Sequence, residues 1–269
     1  MKIIYNKNKL IKILQKEKNI GFVPTMGGIH PGHISLIKKC CAQCDKTVVS
    51  IFVNKPQFNR NNDFKNYPRN LNKDLFKLRK HSVDLLFLPK EKEIYPKGCN
   101  KKIKIDLFAK SLCGKFRPGH FKGVVDVIDR FIKIIKPQKI YLGEKDMQQL
   151  KIIDSFLKKN KINTKVVSVK TIREKNGMAY SSRNFLLSNK NKAIGSKIYK
   201  LLFRKKNLLI NKKISINKIK KEILMVGADK IDYLELRDIN KLVKPFKKNK
   251  KNKIFIAYYL NKVRLIDNI

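Results

Sequence analysis

The sequence predicts an α/β fold with two domains: a parallel sheet with helices in residues 1–176, and a smaller α+β domain in residues 177–269. The first observation behind this prediction is a series of short apolar runs rich in β-branched residues, which are typical of buried parallel strands. The second is that segments with helical periodicity separate these runs, as crossover helices separate parallel strands. The third is that this alternation ends near residue 176.

The elements of the larger domain follow one another regularly along the chain. The predicted strands are 20–23, 47–53, 83–88, 139–142 and 164–171. The predicted helices are 34–44, 71–80, 124–135 and 147–160. Ligands of such Rossmann-like sheets bind beyond the carboxyl ends of the strands. We therefore expect PTMGG, VNKPQF and YLGEKD, which follow three of these strands, to lie on one rim of the sheet.

The smaller domain has a different order of elements. Two predicted helices, 192–209 and 214–226, come before two predicted strands, 231–237 and 254–260. The strands are separated by PFKKNKKNK, which is predicted to form a solvated turn. Helices followed by strands in this order are typical of an α+β unit.

The composition indicates a folded protein in a reducing compartment. Of the 269 residues, 42% are hydrophobic, and no run approaches the roughly 18 apolar residues of a membrane span. The N-terminal MKIIYNKNKLIKIL lacks the continuous apolar stretch of a signal peptide. The five cysteines are an odd number; Cys40, Cys41 and Cys44 could suggest a metal site, but no second pair has zinc spacing. We expect a soluble cytoplasmic protein with reduced thiols.

The net charge of +44 leaves two interpretations open. A field of this size attracts nucleic acid or anionic membranes. However, 54 of the 64 basic residues are lysines and 10 are arginines, whereas base readout and bidentate phosphate contacts favour arginine. Lysine, asparagine and isoleucine share A/T-rich codons, so a compositional bias also explains the charge. We expect no specific nucleic-acid partner and no membrane association.

The segment GFVPTMGGIHPGHISLI holds two of the four histidines. We expect its strand to end at Val23, with Pro24 stopping it, and Gly27 and Gly28 to form a tight turn. A helix that starts near the second histidine would offer free backbone N–H groups to an anion, and its dipole would add to the attraction. His30 and His33 would contribute imidazole donors, so a triphosphate is the expected ligand.

Other interpretations of this segment stay open. Two histidines three residues apart can bind a metal, although no third ligand is apparent nearby. One histidine could instead cap the helix. The sequence contains neither GxGxxG nor GxxxxGK[ST], so a dinucleotide fingerprint and a P-loop are disfavoured.

The tetrapeptide His30-Pro31-Gly32-His33 resembles the HxGH signature of the nucleotidyltransferase and class I synthetase superfamily. Its flanks, PTMGG before it and ISLI after it, are similar to the nucleotide-binding segment of the pantothenate synthetases, or pantoate–β-alanine ligases. Further segments resemble the same family in the same order: SIFVNKPQF, YPRNLNKDL, FRPGHFKGV, YLGEKDMQQL and REKNGMAYSSRNFLLS. These similarities span roughly residues 20–190, about two-thirds of the chain.

The resemblance implies an ATP-dependent reaction in two steps. The carboxylate of (R)-pantoate attacks the α-phosphate of ATP to give pantoyl adenylate and pyrophosphate. The amine of β-alanine then attacks the acyl carbon to give pantothenate and AMP. The resemblance also implies a need for Mg²⁺, a cytoplasmic location and a homodimer.

The resemblance assigns roles to particular residues. The implied catalytic residues are His33, His30 and Lys145. The implied ATP-binding residues are Met26, Gly27, Gly28, Ile29, His30, Pro31, Gly32, His33, Gly143, Glu144, Lys145, Asp146, Ile172, Tyr180, Ser181, Ser182 and Arg183. The implied substrate-binding residues are Gln57, Gln149 and Asn54. Arg117 and His120 are expected to be structural or at the rim of the site.

Two rival functions stand beside the ligase. A nucleotidyltransferase of the same superfamily would release a nucleotide-linked product, and a nucleic-acid-binding protein would use the positive charge. Gln57, Gln149 and the Ser-Ser-Arg segment at 181–183 favour the ligase. The discriminating observation is whether AMP formation requires β-alanine.

Overall fold

The computed structural model describes residues 1–239, 242 and 251–269, which form a six-stranded parallel sheet and a three-stranded antiparallel sheet. The strands are β1 (Lys2–Ile4), β2 (Ile20–Thr25), β3 (Lys46–Ile51), β4 (Leu85–Phe87), β5 (Lys139–Gly143), β6 (Lys165–Val169), β7 (Lys230–Asp238), β8 (Asn252–Leu260) and β9 (Val263–Asn268). The helices are α1 (Lys7–Leu14), α2 (Pro31–Cys41), α3 (Asn61–Lys65), α4 (Leu71–Arg79), α5 (Glu91–Ile94), α6 (Cys113–Phe116), α7 (His120–Ile135), α8 (Met147–Lys159), α9 (Asn189–Ile210) and α10 (Ile216–Met225).

The predicted fold class is confirmed, with three principal elements that the sequence analysis missed. All the predicted strands and helices are present, with bounds that differ by a few residues. The missed elements are β1 and α1 at the start of the chain and β9 near its end, together with the short helices α3, α5 and α6. Most of the turn predicted at 245–253 lies outside the described residues. The domain boundary at 176/177 stays a prediction.

The strand order of the parallel sheet is β1-β4-β3-β2-β5-β6. From β2 the chain first builds outward through β3 and β4, and later starts on the other side of β2 with β5 and β6. The direction of building therefore reverses between β2 and β5, which is the topological switch point of the sheet. In open α/β sheets the crevice at this point is where ligands bind.

The prediction that β2 ends at Val23 because Pro24 stops it is wrong. The strand continues to Thr25, and Pro24 pairs with Ser50 of β3. On the other side, β2 pairs with β5 only at Gly21 and Phe22. The ladder to β5 has ended before Pro24, so the N–H group that proline lacks is not needed there.

The parallel sheet is covered on both faces. Neighbouring residues of a strand point to opposite faces, and Phe22 and Val23 accordingly belong to different clusters. Phe22 packs with residues of α1, α7 and α8, such as Phe131. Val23 packs with residues of α2 and α4, such as Ile37 and Leu78. The antiparallel sheet packs against α9 and α10 in a third cluster. No helix in the described part of the chain combines the length and the apolarity that crossing a membrane requires.

The cysteines of the Cys-Cys-x-x-Cys segment pack into the protein. Cys40 and Cys44 are buried beneath β2, where a Cβ added at Gly21 would lie 2.3 Å from the Cys40 sulfur. Burial raises the pKa of the Cys40 thiol to about 12. This thiol is therefore an uncharged core side chain at neutral pH.

Candidate active site

A cavity of about 220 Å³ opens at the switch point of the parallel sheet. Its walls come from the segments that follow β2, β3, β5 and β6, from α7, and from residues 180–183. The predicted site residues that line it are Met26, His30, Gly32, His33, Asn54, Gln57, Gly143, Lys145, Asp146, Gln149, Ile172, Tyr180, Ser181, Ser182 and Arg183. Residues from four distant parts of the sequence thus meet in one place.

Five of the predicted ATP-binding residues lie outside the lining of this cavity. They are Gly27, Gly28, Ile29, Pro31 and Glu144. Ile29 is fully buried in the cluster beneath α2 and α4, and Pro31 is the first residue of α2. These residues shape the turn between β2 and α2, while their neighbours Met26, His30 and His33 face the cavity.

The turn between β2 and α2 is held from outside by α4. Gly27 and Gly28 adopt positive φ angles of 81° and 62°. The carboxylate of Asp74, which is 3% exposed, accepts hydrogen bonds from the N–H groups of Gly28 (2.8 Å) and Ile29 (2.7 Å). Lys77, one turn further along α4, donates to the Ile29 carbonyl at 2.5 Å. The N–H groups of Gly28 and Ile29 are therefore already paired with Asp74.

His30 is the N-cap of α2, so the capping interpretation is correct for this histidine. Its Nδ1 accepts a hydrogen bond from the Gly32 N–H at 3.1 Å. Burial, together with the nearby His33, Lys145 and Lys77, lowers the pKa of His30 to about 2. A neutral imidazole with an accepting Nδ1 carries its proton on Nε2. His30 therefore combines a capping acceptor with a donor on the other side of its ring.

His33 stacks on His30 within the first turn of α2. The ring centroids are 4.0 Å apart and the ring planes differ by 25°. Burial is the largest cause that lowers the pKa of His33, to about 4, and Asp146 opposes this shift. Its Nδ1 is buried and, within the described residues, has no hydrogen-bond partner. Two neutral imidazoles consequently face the cavity side by side.

Lys145 approaches the histidines from the neighbouring strand. It lies in the short 3₁₀ turn Glu144–Asp146 between β5 and α8. Its side chain is 17% exposed, and its ammonium lies 3.7 Å from the Asp146 carboxylate. The ammonium also lowers the pKa of both histidines. Since β2 and β5 are adjacent, the switch point brings this cation to the imidazole pair.

The Ser-Ser-Arg segment closes one side of the cavity. Ser181 caps a 3₁₀ helix, Ser182–Leu186, by accepting from the Arg183 N–H at 3.2 Å. The Ser182 hydroxyl lies 3.1 Å from the Gly28 carbonyl, to which it can donate. The Arg183 guanidinium donates to both carboxylate oxygens of Asp63, at 3.1 and 2.9 Å. This segment therefore combines a helix cap with a position in the cavity lining.

A chain of hydrogen bonds fixes the amide of Gln57. Asn54 is 1% exposed and donates through Nδ2 to the Gly123 carbonyl at 3.0 Å and to the Gln57 Oε1 at 3.1 Å. Its Oδ1 accepts from the Tyr95 hydroxyl at 2.7 Å. A carbonyl only accepts, so Asn54 has one possible orientation, and Gln57 must turn Nε2 away from it.

The backbone of Gln57 is also held in place. Its carbonyl accepts from Arg117 at 3.2 Å and lies 2.8 Å from His120 Nδ1. Arg117 and His120 thus have the structural position that was expected for them. Burial is the main cause that lowers the pKa of Arg117 to about 10.

The sequence analysis missed an apolar wall of the cavity. Besides Phe52, it is built by one face of α7, namely Val124, Val127, Ile128 and Phe131. These residues were recognised only as part of a predicted helix. The sequence does carry one signal for them. The apolar face of α7 is wider than the single stripe that a helix needs to pack against a sheet, so part of this face is left to line a cavity. Tyr67, Lys170 and Thr171 also line the cavity.

Gly177 is a packing position. It has a φ of +94°, and a Cβ added there would lie 2.2 Å from the ring of Tyr199. Glycine is required at this point by the turn and by the close approach of α9.

Fold and site together define an α/β protein with a histidine- and lysine-bearing ligand cavity at the switch point of a parallel sheet. The family model for pantoate-beta-alanine ligase matches residues 2–269. The chain therefore belongs to the pantoate-β-alanine ligase family.

Similar proteins support this membership over the whole chain. A pantothenate synthetase of Vesicomyosocius okutanii is 40% identical over 274 residues, with 100% of this chain and 97% of the relative covered. A crystal structure of the pantoate-beta-alanine ligase of Francisella tularensis, complexed with beta-gamma ATP and beta-alanine, has a TM-score of 0.88 and 40% identity, covering 100% of this chain and 97% of that chain. A pantothenate synthetase structure from Thermus thermophilus has a TM-score of 0.91 and 31% identity, covering 100% of this chain and 99% of that chain.

Proposed function

We propose that this chain condenses (R)-pantoate with β-alanine to form pantothenate, using ATP and releasing AMP and pyrophosphate through a pantoyl-adenylate intermediate. The observation that carries the proposal is the convergence of His30, His33 and Lys145 with two glutamines, Gln57 and Gln149, in one cavity. The first group suits a polyphosphate and the second suits a small carboxylate. Membership in the pantoate-β-alanine ligase family gives this pairing of ligands its most direct explanation.

In the first step a pantoate carboxylate oxygen bonds to the α-phosphorus, and the bond from that phosphorus to pyrophosphate breaks. Such a step depends on positioning and charge stabilisation more than on proton transfer. His30 and His33, being neutral, act as hydrogen-bond donors to the phosphate oxygens. Lys145 adds a full positive charge. Ser181, Ser182 and Arg183 bind the triphosphate from the opposite side, and the Ile172 backbone contacts the adenine.

Pantoate has a carboxylate, hydroxyl groups and two methyl groups, and the cavity offers a matching partner for each. The donors of Gln57 and Gln149 bind the oxygen atoms. Neutral amides hold a carboxylate without reducing its nucleophilicity as a close full charge would. The wall of Phe52 and α7 covers the methyl groups, where burying each carbon is worth about 0.8 kcal/mol. Asn54 acts behind Gln57 by fixing the direction of its amide.

In the second step the amine of β-alanine bonds to the acyl carbon. The bond from that carbon to the AMP oxygen breaks, and the nitrogen loses a proton. The pantoate oxygen that attacked phosphorus therefore leaves with AMP. The same cavity serves both steps because the acyl carbon stays beside Gln57 and Gln149.

Mg²⁺ is proposed to enter with ATP. Within the described residues, no three His, Cys, Asp or Glu side chains are grouped to hold a metal ion, and Asp146 is the one carboxylate in the described cavity lining. Mg²⁺ is usually held by one or two carboxylates together with substrate phosphates, so this donor set fits an ion bound mainly by ATP, with Asp146 as the protein ligand. Its contribution would be to offset phosphate charge. The homodimer and the cytoplasmic location are proposed from the family resemblance alone.

The proposal is tested by incubating the purified protein with ATP, Mg²⁺ and D-pantoate, with and without β-alanine, and following the products by mass spectrometry. We expect pantothenate and AMP to accumulate in equal amounts only when β-alanine is present. A nucleotide-linked product that is released without β-alanine would instead support the nucleotidyltransferase. Well-folded protein that forms neither product would overturn both.

A further inference from the structure

The turn that carries Lys145 is held by a side chain from the second sheet. Asn268, the last residue of β9, is 2% exposed. Its Nδ2 donates to the carbonyls of Glu144 and Lys145, both at 2.7 Å. These contacts join residues that are more than 120 positions apart in the sequence. A single amide group thus forms hydrogen bonds to the backbone on both sides of the Lys145 α-carbon.

The orientation of this amide is fixed by a lysine. Lys253, on β8, donates to the Asn268 Oδ1 at 2.8 Å. An ammonium group only donates, so the amide oxygen must face Lys253 and the nitrogen must face the turn. The Lys253 ammonium also lies 3.7 Å from the Glu144 carboxylate, which draws the same turn toward β8. Asparagine at 268 therefore has no alternative orientation that keeps these bonds.

The neighbouring residue of β9 holds another segment that contributes to the cavity. The two carboxylate oxygens of Asp267 accept from the Arg173 guanidinium at 2.6 and 2.9 Å. Arg173 also donates to the Gly177 carbonyl at 3.1 Å. It therefore ties the start of the segment leading to Ser181–Arg183 to the same strand end. The end of β9 contacts both segments that bring cations to the cavity.

We propose that Asn268 is a positioning residue for Lys145, so that the antiparallel sheet sets the place of the phosphate-binding ammonium. This inference rests on the proposed function, because it assumes that Lys145 acts on ATP. A displacement of about 1 Å in a catalytic group can cost roughly 100-fold in rate. Loss of the two bonds frees the turn to shift by such an amount while every side chain in the cavity remains.

The test compares Asn268→Ala and Asn268→Asp with the wild type in pantoate-dependent exchange of labelled pyrophosphate into ATP, which reports the first step. Asn268→Asp keeps the shape but removes both donors. We expect either change to lower the exchange rate by about 10- to 100-fold. The KM for pantoate should stay within about 2-fold, because Gln57 lies in a separate segment and Gln149 is held in α8, outside the Glu144–Asp146 turn.

A double-variant comparison separates positioning from a general loss of structure. If Asn268 acts through Lys145, then adding Asn268→Ala to Lys145→Ala should cost less than about 2-fold beyond Lys145→Ala alone. A merely structural role would give the same factor in both backgrounds. Equal factors, or full exchange activity in folded Asn268→Ala, would overturn the proposal.

Asp232→Asn is the matched control. Asp232 accepts from Arg264 at 2.7 Å, joining β7 to β9 at the end of β9 opposite Asn268. We expect this change to lower the melting temperature while it alters the exchange rate by less than about 3-fold in either background. An Asp232→Asn variant as inactive as Asn268→Ala would show that any damage to this sheet stops the reaction, against the proposal.

Lys253→Met provides a milder change that leaves Asn268 in place. We expect a smaller loss of exchange activity than in Asn268→Ala, because the Asn268 amide loses only its hydrogen bond from Lys253. If Asn268→Ala does not fold, Lys253→Met and Asn268→Asp replace it. Each is measured in the wild-type and the Lys145→Ala backgrounds, and a smaller loss of exchange in the second background supports positioning of Lys145. Wild-type protein without exchange activity would contradict the proposed function itself, whereas an active wild type with unaffected variants would contradict only the role of Asn268.

Discussion

The protein keeps His30 and His33 uncharged, so each imidazole has one N–H donor and one acceptor nitrogen. Burial lowers the pKa of both side chains well below neutrality, and the neighbouring lysine charges add to this effect. The cap contact at Nδ1 then decides which nitrogen of His30 holds the proton. In the proposed mechanism the two neutral imidazoles donate to the phosphate oxygens, while Lys145 contributes a positive charge.

Replacing His33 by alanine should lower the rate of pantoyl-adenylate formation by about 10²- to 10⁴-fold, if this imidazole stabilises phosphoryl charge. The measurement is the single-turnover rate of the first step. His81→Ala is the control, since His81 is a histidine outside the cavity lining. Unaltered adenylate formation in His33→Ala would remove His33 from the mechanism.

The histidine pKa values also predict a dependence of stability on pH. An unfolded histidine has a pKa of about 6.5, whereas folded His33 has a pKa of about 4. Between these values the unfolded chain binds a proton that the folded chain does not, so the free energy of unfolding falls as the pH is lowered from about 6.5 to 4. Above about pH 6.5 this contribution is fully present.

His33→Gln removes one source of that dependence. We expect denaturant unfolding of this variant to lose less stability between about pH 7 and pH 4.5 than the wild type loses. His30 and His120 retain their own contributions, because burial lowers the pKa of each. Parallel curves for wild type and His33→Gln would show that His33 is not a neutral buried side chain.

Some cavity residues could be predicted from the sequence and others could not. His30, His33, Lys145 and the glutamines stand in compact motifs, so their positions were identified before the structure. Asp74 was not assigned a role, because its partners at Gly28 and Ile29 lie 46 and 45 positions away. Only the fold brings the two segments together.

At the level of elements, the turn between β2 and α2 is fixed from two sides. Asp74 and Lys77 of α4 hold its backbone, and Ser182 packs against Gly28 from the other side. The placement of the two histidines therefore depends on the positions of α4 and of the Ser-Ser-Arg segment, because both contact this turn. Its glycines are needed for geometry more than for contact with a ligand.

Gly28→Ala should be more harmful than a matched change elsewhere. Gly28 has a φ of +62°, and a Cβ there would lie 2.8 Å from the Ser182 Cβ. Gly98→Ala is the control, because Gly98 has a φ of +73° and no atom within 4 Å of an added Cβ. Both variants should lose about 1 kcal/mol from backbone strain. Only Gly28→Ala should also displace the Ser-Ser-Arg segment and lower activity, by about 10-fold or more.

This comparison uses unfolding free energies and steady-state rates of the two variants. Equal losses of stability and activity would mean that the contact between Gly28 and Ser182 is unimportant. A selective loss of activity in Gly28→Ala would support the close packing of the turn against the Ser-Ser-Arg segment.

The missed elements show where local sequence signals are weak. β1 has three residues, too few for a visible alternation, and among the described strands it pairs with β4 alone. α1 is short, although Asn6 caps it and Leu10 and Leu14 form its buried stripe. β9 carries Arg264, Asp267 and Asn268 among its apolar residues, so its pattern resembled a loop. The polar side chains that interrupt the apolar pattern of β9 are the ones that contact residues distant in the sequence.

At the level of the whole molecule, the charge of +44 and the cavity are separate properties. The basic residues in the described cavity lining are Lys145, Lys170 and Arg183, whereas most of the 54 lysines lie elsewhere in the chain. A uniform positive surface attracts any polyanion, but it does not read a sequence. The charge is therefore expected to add weak binding without a specific partner.

We predict that any binding of nucleic acid is weak, independent of sequence and sensitive to salt. A protein that neutralises roughly 6–10 phosphates loses about 10³- to 10⁵-fold in affinity between 50 and 200 mM salt. The measurement is fluorescence anisotropy with several unrelated duplexes and single strands across this range. Binding that persists at about 200 mM salt and prefers one sequence would indicate a nucleic-acid function in addition to the cavity.

The most direct test of the account follows an oxygen atom. The protein is incubated with ATP, Mg²⁺, β-alanine and pantoate labelled with ¹⁸O at both carboxylate oxygens, and the AMP is analysed by mass spectrometry. A pantoyl-adenylate intermediate predicts one ¹⁸O in each AMP molecule, because the acyl carbon–oxygen bond breaks when the amine attacks. Unlabelled AMP formed together with pantothenate would contradict the intermediate and, with it, the roles assigned to His30, His33 and Lys145.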